Sequence, residues 1–201
     1  MRVSYVCLDP GVPVFGAKGA SVHVQEVVRA LRRAGHEVVL HAARRGGLVP
    51  ADLADLTVVE TPVRAGDPAG RERAQAEVSR RAARDVLERG ADLVYERYSL
   101  FSTALADVAR AAGVPGVLEV NAPLIDEQRR HRVLVDGAGA LAALRAQAGR
   151  ARLTACVSDP VRRWVERLVP GCRAATVPNG VSLERIRPSA EDPGGVVVVF
   201  V

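Results

Sequence analysis

The residue of this chain best suited to anion chemistry is its only lysine, Lys18, since every other cation among its 28 lysine and arginine side chains is an arginine. Lys18 lies between Gly16 and Gly19, where an apolar run (residues 3–8) is followed by a helical pattern. Glycines let backbone N–H groups approach a ligand closely, and the first turn of a helix favours an anion. The sequence leaves two interpretations open: a loop that contacts a phosphate or a sugar hydroxyl, or an ordinary β-to-α turn with a solvated lysine.

The loop departs from the two best-known phosphate-binding motifs. It lacks a Ser or Thr directly after Lys18, and Ala17 separates that lysine from the preceding glycine, so the magnesium ligand of a P-loop is missing. It also lacks the third glycine of the dinucleotide fingerprint. Residues 40–42 (Leu-His-Ala) end the second apolar run, where that fingerprint has an acidic ribose partner. The sequence therefore disfavours a dehydrogenase-like nucleotide-binding domain.

The elements that position this loop alternate regularly along the chain. Short apolar runs predict strands at residues 3–8, 37–42, 56–61, 93–97, 116–120, 153–157 and 174–177. Apolar residues at helical spacing predict helices around residues 24–31, 104–112 and 161–168, the last with Asp159 as N-cap and Pro160 in its first turn. We therefore predict an α/β fold, a Rossmann-like, doubly wound parallel sheet with helices on both faces.

Amino-acid composition limits the cellular compartments and the binding partners that suit this chain. Hydrophobic residues make up 48% of the chain, which is typical of a folded globular protein. The formal net charge is +5, but aromatic residues are only 3%, too few for a surface that stacks nucleic-acid bases. We attribute the arginine excess to codon preference and expect no nucleic-acid partner. Three cysteines without C-x-x-C spacing, and no signal-peptide pattern or long apolar run, predict a cytoplasmic protein without a metal site.

Composition also divides the chain into three segments. Residues 1–184 carry the alternating pattern and are predicted to form one domain. Residues 185–195 include Pro188, Pro193, Gly194 and Gly195 and are predicted to be a linker. Residues 196–201 (VVVVFV) are predicted to be the first strand of a second α/β domain.

Four stretches, taken in their order and spacing, resemble the N-terminal half of glycosyltransferase family 4. They are residues 18–26 (KGASVHVQE), 33–38 (RAGHEV), 157–158 (VS) and 177–181 (VPNGV), of which the last is the most specific. The resemblance extends from Met1 to about Pro188. It implies a GT-B fold, in which two Rossmann-like domains face each other across a cleft. It also implies retaining transfer of a sugar from a nucleotide-sugar co-substrate, without a metal or other cofactor.

The resemblance implies a division of labour between the two domains. The N-terminal domain holds the acceptor, and its glycine loop (Gly16, Lys18 and Gly19) approaches the donor diphosphate, while the C-terminal domain holds the nucleotide sugar. A chain limited to the first domain is therefore expected to be inactive alone. Many relatives have a histidine after the fifth strand, where this chain has Asn121. Asparagine can hydrogen-bond a sugar hydroxyl but is neither acid nor base near neutral pH, so we name no general base.

Polar residues near strand ends complete the cleft that the resemblance implies. Glu119 is interpreted either as a carboxylate that accepts hydrogen bonds from an acceptor sugar or as a strand residue paired with an arginine. Arg97 is predicted to contact an acidic acceptor, or else to pair with Glu96 or Glu119. The other possible cleft residues are His23, Tyr98 and Asn179.

The rival hypothesis is a non-catalytic α/β module that binds an anionic lipid or a phosphorylated ligand. A predicted basic helix at residues 71–89 has six arginines against four acids, and Arg129, Arg130 and Arg132 follow it in the sequence. Such a patch attracts anionic lipid, which would suit a lipid-linked acceptor and a peripheral position on the inner face of the membrane. The alternative is a solvated helix face whose acids pair with neighbouring arginines.

Overall fold

In the computed structural model, which describes residues 1–64 and 66–180, seven parallel strands form one sheet. The strands are β1 (Arg2–Cys7), β2 (Glu37–Ala42), β3 (Thr57–Glu60), β4 (Leu93–Arg97), β5 (Gly116–Val120), β6 (Leu153–Cys156) and β7 (Ala174–Thr176). Their order across the sheet is β3-β2-β1-β4-β5-β6-β7, a doubly wound arrangement. The first and last residues of each strand lie within one residue of the predicted positions. The predicted fold class is confirmed. The predicted linker (185–195) and final strand (196–201) lie outside the described residues.

Helices connect the strands throughout the described ranges. They are α1 (Gly19–Arg33), α2 (Pro68–Arg89), α3 (Ala104–Ala112), α4 (Leu124–His131), α5 (Gly137–Arg150) and α6 (Asp159–Leu168), with a short 3-10 turn at Ala51–Leu53. The predicted N-cap of α6 is wrong by one residue. Ser158 has the extended backbone of an N-cap, and Asp159 is the first helical residue, where its carboxylate accepts a hydrogen bond from the Thr176 hydroxyl at 2.5 Å.

Helices cover both faces of the sheet, as predicted. Because side chains alternate along a strand, Tyr5 and Cys7 of β1 pack on the α1 side, whereas Val6 packs into the larger core on the other side. Helices α2, α3, α5 and α6 all contribute to that larger core, with Leu105 and Leu144 among its fully buried members. Within the described ranges, no helix combines the length and the apolar composition needed to cross a membrane.

The register of the central strands brings polar residues together at the carboxyl edge of the sheet. Strand β4 lies between β1 and β5, with Cys7 opposite Arg97 and Arg97 opposite Glu119. Partners in a parallel ladder project to the same face, so Arg97 and Glu119 share the α1 side. Glu96 projects to the opposite face, where it is buried and accepts hydrogen bonds from the Ser102 hydroxyl and from the backbone N–H of Leu105 in α3.

Candidate functional site

Glu119 is the centre of a polar network at the end of β5, although its side chain is almost entirely buried. The Tyr95 hydroxyl donates to Glu119 Oε2 at 2.6 Å. Glu119 Oε1 accepts a hydrogen bond from Arg97 Nη1 at 3.1 Å and lies 2.7 Å from His23 Nε2. The side-chain amide of Asn121 donates to Oε1 as well. Four side chains from β4, α1 and the loop after β5 therefore converge on one carboxylate.

The electrostatics of this network keep Glu119 ionised. Burial alone would raise the pKa of its carboxyl, but the contacts with His23, Tyr95 and Asn121 outweigh burial and lower that pKa to about 2. Burial and the negative charge of Glu119 raise the pKa of Tyr95 far above its ordinary value, so Tyr95 stays a donor. Glu119 consequently works as a fixed acceptor that orients its neighbours, and not as a proton donor near neutral pH.

The glycine loop between β1 and α1 is rigidly packed at Gly16. A β-carbon there would lie 2.9 Å from Pro13 Cγ and 3.0 Å from Ser21 Oγ, closer than these atoms normally approach. The buried amide of Gln25 donates to the carbonyl oxygens of Val14 and Gly16, at 3.0 and 3.1 Å. The loop is thus tied to the second turn of α1, and Gly16 is required by packing.

The segment after β2 holds the same loop from the other side. The backbone N–H of Val14 donates to the carbonyl of Arg44 at 3.0 Å, and that of Phe15 donates to the carbonyl of Arg45 at 2.7 Å. The Arg45 guanidinium also lies 5.5 Å from the centre of the Phe15 ring. Gly46 has a positive φ of 79°, and a β-carbon there would clash with the Phe15 carbonyl oxygen. The loop is preorganised by its neighbours.

The end of the loop, at Lys18 and Gly19, is exposed to solvent, in contrast to the tightly packed Gly16. Lys18 is the N-cap of α1, its side chain is exposed, and it makes no side-chain capping bond. Gly19 is the first helical residue, and a β-carbon there would meet no atom within 4 Å. The first turn of α1 contains no acidic residue, and the N–H groups of a first helical turn have no intrahelical acceptor. Lys18 and Gly19 are therefore both exposed at this helix start, beside N–H groups that have no intrahelical acceptor.

The side chains of the remaining predicted cleft residues do not join the Glu119 network, although the backbone N–H of Tyr98 donates to the Glu119 carbonyl at 2.8 Å. Tyr98 is buried in the larger core, 6.4 Å from the Trp164 ring, and burial raises the pKa of its hydroxyl. Asn179 is exposed in the segment after β7. Within the described ranges, no three His, Cys, Asp or Glu side chains are grouped in a way that could hold a metal ion.

A cavity of about 820 Å³, which the sequence did not predict, opens beside the start of the glycine loop. Its walls are residues 9–12, the first turns of α2, the segment after β4, and α4 with the residues that follow it. Phe101 in the wall has a positive φ of 62°, an unusual backbone conformation for a bulky residue. Because the lining comes from four distant parts of the chain, only the packed fold reveals it.

Comparison with known proteins identifies the family. The model of Glycosyltransferase Family 4 matches residues 17–185, a range that includes Lys18, the Glu119 network and all six helices from Gly19 onward. The chain belongs to glycosyltransferase family 4. Among curated proteins, none matches the sequence.

Solved structures of longer proteins share the fold of this family 4 chain. Sucrose-phosphate synthase from Thermosynechococcus elongatus superposes with a TM-score of 0.67 at 14% identity, over 94% of this chain and 50% of that one. The lipopolysaccharide outer core galactosyltransferase WaaB gives 0.59 at 13% identity, over 96% and 50%. HepE from Anabaena, in complex with UDP, gives 0.53 at 15% identity, over 92% and 45%. This chain therefore spans about half the length of each of these three structures.

Proposed function

We propose that this chain is the acceptor-side domain of a retaining glycosyltransferase that moves a sugar from a nucleotide-sugar donor to an acceptor. The observation that carries the proposal is the open, lysine-capped start of α1 beside the Glu119 network, at the carboxyl edge of a doubly wound sheet. Ligands of such sheets bind at this edge. Membership of family 4 and the UDP bound to HepE, a protein of similar fold, agree with a nucleotide-sugar donor.

The glycine loop is proposed to contact the donor diphosphate. Backbone N–H groups of the first turn of α1 donate to phosphate oxygens, and Gly19 allows the backbone to come close because no side chain intervenes. The ammonium group of Lys18 adds a positive charge where negative charge grows on the departing nucleotide. The ties from Gln25 and the segment after β2 fix the loop before the donor arrives, so little reorganisation is required.

The Glu119 network is proposed to orient the acceptor. Glu119 holds His23, Arg97 and Asn121 in place, and the free donor positions of these side chains are available to acceptor hydroxyl or acidic groups. Glu119 remains ionised, and Asn121 does not titrate near neutral pH, so neither is assigned as a general base. The adjacent cavity between α2 and α4 would receive the rest of a larger acceptor, including a lipid-linked one.

We further propose that the enzyme is cytoplasmic and that this chain alone does not transfer sugar. All three cysteines are free, and Cys7 and Cys156 are buried, as suits a reducing compartment. Retaining transfer requires the donor to be held and oriented against the acceptor. In the proposed division of labour most of those donor contacts belong to a second domain.

Transfer of labelled sugar from a panel of nucleotide-sugars tests this function. We expect the full-length gene product to label an acceptor in an extract of its own cells, and the 201-residue chain to remain below about one hundredth of that rate. Robust transfer by the chain alone would refute the division of labour. Full-length protein that binds phosphorylated ligands but transfers no sugar would support the non-catalytic binding module instead.

A further inference from the structure

A second surface lies at the connection between α4 and α5. Residues 129–135 (RRHRVLV), which we call the basic–apolar segment, contain three arginines and one histidine, all exposed. Val133 and Val135 are 59% and 56% exposed, and they are two of only six large hydrophobic residues exposed in the described part of the chain. Apolar side chains that face solvent within a cluster of cations are typical of an interaction site.

The basic–apolar segment is held in place with both valines facing outward. Leu134, between them, is half-buried and packs against the larger core. The buried carboxylate of Glu72 in α2 accepts hydrogen bonds from the backbone N–H groups of Val135 and the next residue, at 2.7 and 2.8 Å. The side chain of Gln128 donates to the Val133 carbonyl at 2.9 Å. The valines therefore cannot turn inward without loss of these bonds.

The arginines of this segment differ from those of α2 in whether they have an ion-pair partner. On α2, Arg80, Arg81 and Arg84 surround the carboxylate of Glu77 at 2.7, 3.0 and 3.7 Å, so these three guanidinium groups already have an ion-pair partner. In the basic–apolar segment, the guanidinium groups of Arg130 and Arg132 form no ion pair or hydrogen bond with any described residue. Their charge is available to a partner.

The neighbouring acids do not cancel the positive charge of the segment. Asp136 follows it, but one of its carboxylate oxygens accepts a 2.7 Å hydrogen bond from the Gly139 N–H and caps α5. Glu127 precedes it on α4. The buried carboxylate of Glu72 is also close, but it accepts the backbone N–H groups of Val135 and Asp136. None of these three acids forms an ion pair with an arginine of the segment, so among the described residues the guanidinium groups beside the exposed valines have no acidic partner.

We propose that the basic–apolar segment docks this domain on an anionic lipid bilayer. Val133 and Val135 enter the headgroup region, and Arg130 and Arg132 contact lipid phosphates. His131, Arg132 and Val133 also line the cavity beside the glycine loop, so docking would place the mouth of that cavity at the bilayer surface. The docking does not depend on the proposed transferase activity and can be measured without donor or acceptor.

Co-sedimentation of the 201-residue chain with vesicles tests the proposal. At low salt we expect retention on equimolar phosphatidylglycerol and phosphatidylcholine, and none on phosphatidylcholine alone. The double change Arg130→Gln and Arg132→Gln should lower the vesicle partition coefficient about tenfold or more. The matched change Arg80→Gln and Arg81→Gln removes the same charge from α2 and should alter the coefficient less than about twofold, because those arginines lie outside the docking segment and already contact Glu77.

Substitution of the two valines distinguishes binding to a membrane from binding to another polyanion. Val133→Ser with Val135→Ser should lower the partition coefficient about threefold or more while leaving the thermal midpoint unchanged. A Val133→Trp variant gives an independent readout, since its emission should shift to the blue on anionic vesicles. Equal retention on both kinds of vesicle, or equal losses in the two double arginine variants, would overturn the proposal. Binding to RNA or heparin that depends on the arginines but not the valines would assign the surface to another partner and overturn it too.

Discussion

His23 Nε2 of α1 lies 2.7 Å from Glu119 Oε1 of β5, and this contact joins the helix that begins at the glycine loop to the strand that ends at Val120, just before Asn121. The two residues are far apart in sequence but meet at one edge of the sheet. This contact links the proposed phosphate-binding region to the proposed acceptor-binding region.

The Tyr95 hydroxyl should contribute measurably to the network. Tyr95→Phe removes a 2.6 Å hydrogen bond to an ionised, buried carboxylate, which is worth about 1.5–3 kcal/mol of unfolding free energy. It should also raise the pKa of Glu119, as followed by NMR of the side-chain carboxyl carbon. Tyr5 is the matched control, since its ring stacks on Tyr95 at 5.2 Å but its buried hydroxyl has no hydrogen-bond partner among the described residues. Equal effects of Tyr5→Phe and Tyr95→Phe on both measurements would contradict this assignment.

The two glycines of the loop should respond differently to the same substitution. Gly16→Val should destabilise the domain by about 1–3 kcal/mol, because its side chain would overlap Pro13 and Ser21. Gly19→Val should change stability by less than about 0.5 kcal/mol, since a β-carbon there meets open space. In the full-length enzyme, however, Gly19→Val should weaken nucleotide-sugar binding in calorimetric titrations. Unchanged donor affinity in that variant would exclude close backbone contact at Gly19.

Glu96 should make the stability of the domain depend on pH. Burial raises the pKa of its carboxyl from 4.5 to about 7, against the opposing hydrogen bonds from Ser102 and Leu105. The folded state therefore binds more protons than the unfolded state between these values. The resulting stabilisation, up to about 3 kcal/mol, is complete below about pH 4.5 and is lost as pH rises through 7.

Glu96→Gln tests this dependence, because an amide of the same shape does not titrate. Urea unfolding at pH 5 and pH 8 should show a smaller difference in unfolding free energy for the variant than for the wild type. The variant should also be the more stable protein at pH 8. An unchanged pH dependence would mean that Glu96 keeps an ordinary pKa in the folded chain.

Strand positions could be predicted from the sequence because valine-rich runs without polar alternation suit a parallel sheet covered on both faces. Helices α4 and α5 gave weaker signals. Helix α5 is rich in alanine and glycine, so it shows no clear apolar stripe, and α4 is short. Packing against α3 and α6, which a local pattern does not contain, stabilises α5 in the folded domain.

Side-chain partners depended on register, which the sequence did not fix. Arg97 could have paired with Glu96 or Glu119, and the structure pairs it with Glu119. The reason is the two-residue period of a strand: Glu96 faces α3, whereas Arg97 and its ladder partner Glu119 share the opposite face. The placement of Tyr98 in the larger core follows from the same alternation combined with the turn after β4.

The most direct measurement is kcat/KM for the nucleotide-sugar donor in full-length enzyme carrying Lys18→Ala. Lys18 is exposed and has no packing role, so folding should be unaffected, while loss of one charged hydrogen bond of about 1.5–3 kcal/mol should lower kcat/KM roughly ten- to a hundredfold. Lys18→Arg keeps the charge and should lose less. Normal kinetics of Lys18→Ala with every acceptor tried would show that the loop is an ordinary turn, and that the donor phosphates are bound elsewhere.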